Sequence, residues 1–107
     1  MTFRYDELKE YVREDFERFC NMGFTEKQIL PAVLTEYAHG QDFSATENIC
    51  IHIFLVSNYR EKGFMAEPII SKIKQLLSEK SYSGILSELG AESEKCIADL
   101  GVILDST

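Results

Sequence analysis

The chain has 107 residues and a mass of 12.3 kDa, the size of one domain. Acids outnumber bases by 18 to 11, so the formal charge is −7 and the pI is about 4.8, which argues against a nucleic-acid binder that neutralises phosphates and against a helix held on anionic lipid. No apolar run reaches the roughly 18–20 residues of a membrane span, and the charged stretch Met1 to Glu10 lacks the apolar core of a secretion signal. The expectation is one cytoplasmic domain over residues 1–107.

Tyr5 to Cys20 has helical spacing. Leu8, Val12, Phe16, Phe19 and Cys20 make an apolar stripe with Tyr11 beside it, and Glu7, Glu10, Arg13, Glu14, Asp15, Glu17 and Arg18 lie opposite. Asn21 to Gly23 closes this helix. Thr25 with Gln28 is a capping-box pair, with Phe24 placed to staple the turn. The second helix runs through Ala38 and buries Ile29, Leu30, Val33, Leu34 and Tyr37. Pro31 falls inside that pattern, so the helix either starts near Leu30 or is kinked there.

After a short polar loop, His39 to Phe43, a second capping box reads Ser44-Ala45-Thr46-Glu47. The run Ile49 to Val56 then carries eight residues with only His52 polar. Read alone, its β-branched residues suit a buried strand. The capping box and the polar ending Ser57 to Gly63 favour a helix over 44–62. At 100° per residue the run is apolar all round, which predicts a central helix surrounded by its neighbours. Pro68 opens the next helix, with Ile69, Ile70, Ile73, Leu76 and Leu77 on one face. Ser81 to Leu89 makes a short helix stopped by Gly90. Ala91 to Leu104 makes the last, with Cys96, Ile97, Leu100 and Ile103 inward. Short connections favour antiparallel neighbours, so the predicted fold is an all-α, single-domain antiparallel bundle of five or six helices.

Catalytic chemistry finds little support. Cys20, Cys50 and Cys96 are odd in number, widely spaced and set among apolar residues, which reads as buried reduced thiols rather than a disulfide framework or zinc site. His52 has Leu55 and Val56 at i+3 and i+4, so no local partner makes it a general base. His39 suits a helix C-terminus, and the single Glu36-x-x-His39 pair is far short of the two such pairs a di-iron bundle needs. No phosphate loop, G-x-S-x-G or H-E-x-x-H occurs. The expectation is no enzyme, no catalytic residue, no metal and no cofactor.

Charge is more informative. Residues 1–50 carry ten acids and five bases, residues 51–80 three and five, and residues 81–107 five and one. On the first helix Glu7, Glu10, Glu14 and Glu17 recur at steps of three and four, so they share an edge. One reading is solvated helix faces that maintain solubility; the other is an acidic face that captures a basic protein, with Tyr11 and Phe43 as apolar anchors and Asp42 beside them. The loops around Asp42 and Glu88 to Glu94 are the next candidates.

With its size, its acidity, its bundle pattern and the stretch Gly23-Phe24-Thr25-Glu26 through Phe43-Ser44-Ala45-Thr46-Glu47, the chain resembles the small acidic helical immunity proteins of bacterial toxin systems, of contact-dependent inhibition or bacteriocin type. That resemblance implies tight neutralisation of a cognate basic toxin, often a nuclease, by covering its active site or substrate channel. The expected function is a stoichiometric inhibitor of a basic protein partner, acting through the acidic edge and without direct nucleic-acid or membrane contact. The alternative is a helical adaptor or regulatory domain that uses an apolar groove.

Overall fold

The helical periodicities become six α-helices in a computed structural model that describes residues 4–38, 44–79 and 81–105. They are α1 (Tyr5–Asn21), α2 (Glu26–Ala38), α3 (Ala45–Lys62), α4 (Glu67–Glu79), α5 (Tyr82–Leu89) and α6 (Ser93–Asp105), with one 3-10 turn, Gly90–Glu92, leading into α6. The all-helical expectation holds: no strand occurs among the described residues.

Helix α3 begins on the expected capping box. Glu47 N–H donates to Ser44 Oγ at 3.1 Å, and Ser44 N–H donates to Glu47 Oε1 at 3.2 Å, so two orphan donors are satisfied together. It ends at Gly63, whose φ of 81° is open to glycine and strained for other residues. Every residue from Ile49 to Val56 is buried, His52 included. Such a helix is stable only when covered on all sides, and α3 contacts each of the other five α-helices.

The apolar stripe of α1 faces α3. Tyr5 packs edge-on against Phe54 at 4.8 Å, and eleven residues later Phe16 packs against Tyr59 at 5.7 Å, so α1 and α3 run in the same direction. Two residues of α1 depart from the sequence reading. Tyr5 is buried, and its hydroxyl donates to Asp99 Oδ2 on α6 at 2.7 Å. Asp15, expected on the solvent face, is only 7% exposed. It lies three residues after the buried Val12 and four after Tyr11, on the flank that α2 covers. Arg18 Nη2 donates to its Oδ1 at 3.0 Å, which offsets part of the cost of burying a carboxylate. Its Oδ2 has no partner among the described residues.

Helix α2 starts at Glu26, well before Leu30, so Pro31 sits inside it, on the exposed side. The Tyr59 hydroxyl explains how. It accepts from the Leu30 N–H at 3.2 Å and donates to the Glu26 carbonyl at 2.5 Å. Those two groups are ladder partners one residue before the proline, so a side chain from α3 bridges the helix where the ring would strain it. Of the predicted box at Thr25, the half in which Thr25 N–H donates to Gln28 Oε1 is present, at 2.9 Å.

At α6 the buried residues are Cys96, Leu100 and Ile103. Ile97, expected inward, is 44% exposed. It is 100° round from Cys96, past the edge of the narrow stripe that α6 turns to the core. Cys50 and Cys96 are fully buried, and contact between their thiols, then burial, pushes the Cys50 thiol up. Cys20 differs from the expectation in being only half-buried.

His52 is fixed by its own helix: Nδ1 lies 2.8 Å from the Asn48 carbonyl, to which an Nδ1–H donates. Burial lowers its pKa from the ordinary 6.5; the bond to the Asn48 carbonyl offsets part of this, and the Lys72 ammonium adds to the lowering. The unfolded chain therefore takes up a proton before the folded one. Stability contributed by neutral His52 is full above pH 6.5 and is lost as the pH falls from there through the folded value. Urea melts across the acid range should show a shallower loss in His52→Gln, which keeps a donor for Asn48 and does not titrate. An identical acid profile in both proteins would exclude the histidine as a source.

Candidate partner-binding site

Helix α1 turns its core stripe to α3, so its opposite edge must face solvent. Glu7, Glu10, Glu14 and Glu17 are all exposed there, in the predicted row. Two arginines thread the row. Arg4 Nη1 donates to Glu7 Oε1 at 2.9 Å. Arg13 donates from Nε to Glu10 Oε2 at 3.1 Å, from Nη2 to Glu10 Oε1, and from Nη1 to Glu17 Oε1 at 3.0 Å. Hydrogen bonding to Arg13 holds the Glu10 carboxyl below its ordinary range. Glu14 has no ion pair among the described residues. Four acids against two threaded bases leave the edge negative, and exposed pairs of this kind add only about 0–1 kcal/mol each to stability.

The structure places Tyr11 differently from an exposed anchor. It is half-buried, with its ring edge-on to Tyr37 of α2 at 5.5 Å. Burial, then the nearby Asp15 carboxylate, raises its phenol pKa. Asp42 and Phe43 lie outside the described residues, as does His39. At the other candidate segment, Glu88 accepts from the Thr46 hydroxyl, and Lys95 joins Glu92 at 3.0 Å to Asp6 at 2.5 Å. That segment is engaged in fastening α5 and α6 to α3 and α1.

Clefts open on the surface among the described residues. One of about 410 Å³ lies where the C-terminal turns of α1 and α3 meet, with Arg13, Glu17, Cys20, Asn58, Glu61 and Lys62 in its walls. The sequence reading passed over Asn58. Its signal was there: Asn58 lies seven residues after Ile51 and four after Phe54, which puts a carboxamide on a buried side of α3. A second, of about 270 Å³, is apolar and is bounded by Leu30, Pro31, Tyr59, Met65, Pro68 and Ile69. A third, of about 390 Å³, is formed by Leu77, Ile97, Leu100, Gly101 and Leu104.

His52 is buried against its own backbone, and burial raises the Cys20 thiol despite the nearby Lys62, which keeps it protonated. No group of three or more His, Cys, Asp or Glu suited to a metal ion occurs among the described residues, and none of their helices is long and apolar enough to cross a membrane. No family model matches the chain, and neither the curated proteins nor the solved structures include a significant match to it.

Proposed function

We propose that this chain is a stoichiometric protein inhibitor of the immunity-protein kind, which binds a basic partner such as a toxin domain through the outer edge of α1. A nuclease is the partner class that suits an acidic surface best, because such an enzyme presents a cationic substrate channel. The carrying observation is the row Glu7, Glu10, Glu14 and Glu17, exposed together and only partly neutralised by Arg4 and Arg13. Like charges at this spacing repel by a few tenths of a kcal/mol per pair, a cost that capture of a cationic surface repays. The arrangement also favours a bundle organised around α3, antiparallel between helices adjacent in the chain and parallel between α1 and α3, which gives α1 a rigid seat. The proposed setting is the cytoplasm, with no nucleic acid or lipid bound directly.

The test reverses charge where the fold depends on it least. Glu14 is unpaired among the described residues, and Glu7 is bonded only to an exposed arginine. Glu7→Lys with Glu14→Lys should weaken binding to the partner captured from the source cells by at least about tenfold. The melting temperature should stay within a few degrees, since surface substitutions of this kind change stability by about 0.5 kcal/mol. Unchanged affinity in the double variant would move the interface off α1.

A second reading, the helical adaptor, is favoured by the cleft at Leu77, Ile97 and Leu100, where Ile97 is exposed beside buried neighbours. Ile97→Glu separates the two: it should abolish binding by an apolar groove and leave binding by the acidic edge intact.

A further inference from the structure

The cleft between the C-terminal turns of α1 and α3 contains a polar group that the fold does not use. Asn58 is only 9% exposed, yet its carboxamide has no hydrogen-bond partner among the described residues. It lines the cleft, so that opening is where its two donors and its acceptor can be met. Neither of its polar atoms is among the fully enclosed unpartnered ones, so water reaches them through the cleft and an entering polar group would replace that water.

The walls restrict what can enter. On the α1 side Arg13 is already bonded to Glu10 and Glu17. On the α3 side Glu61 and Lys62 contribute one charge of each sign. Cys20 adds a thiol that burial keeps protonated. The lining is thus electrically balanced, unlike the acidic edge beside it, and does not select a charged centre. At the Asn58 carboxamide, a donor and an acceptor lie side by side in one plane. Their complement is an uncharged edge with one acceptor and one donor. In an extended chain, the N–H and C=O of a single residue point to the same side and form such an edge.

We infer that this cleft receives an extended main-chain segment of a protein partner, with the N–H and C=O of one residue paired to Asn58, whose Oδ1 accepts and whose Nδ2 donates. The inference rests on the reading above that the chain works by binding a protein. It adds a second, charge-independent contact that shares Arg13 and Glu17 with the acidic edge. Steering would then belong to the glutamates, and retention in part to Asn58.

The probe is N-acetyl-L-alanine N-methylamide, titrated into the ¹⁵N-labelled full chain and followed by NMR. The expected result is saturable shifts of the Asn58 side-chain NH₂ and of the amides of Cys20, Asn21, Glu61 and Lys62. The ester analogue, in which oxygen replaces the alanine N–H, should bind about tenfold more weakly, because it leaves Oδ1 without its donor. Asn58→Leu should bind neither compound. Glu61→Trp, at an exposed position that keeps the fold, should block the opening and remove the shifts. Absence of saturable shifts, equal binding of the ester, or an unchanged response in Glu61→Trp would overturn the inference. None of these outcomes depends on the partner, so they leave the acidic-edge reading to its charge-reversal test, and failure of that test does not touch them.

Discussion

Phe54→Ala should destabilise the protein by about 3–5 kcal/mol, the usual cost of deleting a phenylalanine from a packed core. Phe54 is fully enclosed in the middle of α3, so the deleted ring leaves a cavity that several helices would have to move to close. Its loss also removes the edge-on partner of Tyr5, an aromatic pair worth about 0.5–1.5 kcal/mol beyond its buried area. Tyr5 in turn bonds Asp99, so the damage reaches the contact between the start of α1 and α6. Ile53→Ala, on the next face of the same helix, should cost about 2–5 kcal/mol. For a domain stabilised by about 5–15 kcal/mol either change is severe. Urea unfolding followed by circular dichroism measures both. A loss below about 1 kcal/mol for each would mean that α3 is peripheral.

The second large effect is expected at Tyr59→Phe, which keeps the ring against Phe16 and Phe64 but deletes the hydroxyl that bridges Leu30 N–H and Glu26 carbonyl. Pro31 lacks an N–H, so this stretch of α2 has few ways to make good the loss. The expected cost is about 1–3 kcal/mol, with faster amide exchange at Leu30. There is also a signature at high pH. Burial pushes the Tyr59 phenol up to about 12, from an ordinary value of 10.0. A raised folded value means the unfolded chain loses its proton first. The contribution is therefore full below pH 10 and is lost as the pH climbs from there through about 12. Tyr59→Phe should soften this alkaline loss without abolishing it, because Tyr5 and Tyr37 are raised in the same direction, chiefly by burial. Wild-type stability in the variant, or an unchanged alkaline profile, would remove the bridge from the account.

What was legible in the sequence was what depends on local period and caps. Ser44 with Glu47, Gly63 and the unbroken run Ile49 to Val56 define α3, and the spacing of Leu8, Val12, Phe16 and Phe19 defines the inner face of α1. These signals lie within a few residues of the structure they dictate. The errors came from which neighbour covers a flank. Asp15 is buried because α2 packs over that side of α1, and Ile97 is exposed because α6 turns only a narrow stripe inward; neither fact is local. Pro31 looked like a helix start or a kink because the Tyr59 hydroxyl that accommodates it comes from 28 residues further on. The exposed row Glu7 to Glu17 followed from periodicity alone. Asn58 was legible from its spacing to Ile51 and Phe54, but a single polar residue late in an apolar helix also reads as the start of its solvated end, and only the enclosing helices decide between the two.

The most direct measurement of the central claim is the rate of association with the captured partner as a function of salt. Complementary fields accelerate encounter and are screened over about 10 Å at 0.1 M ionic strength. If the acidic edge of α1 steers a basic partner, raising sodium chloride from about 0.05 to 0.5 M should lower the association rate constant by tenfold or more while dissociation changes little. Glu7→Lys with Glu14→Lys should flatten that dependence. An association rate that is indifferent to salt, or a dependence the double variant leaves intact, would contradict the account.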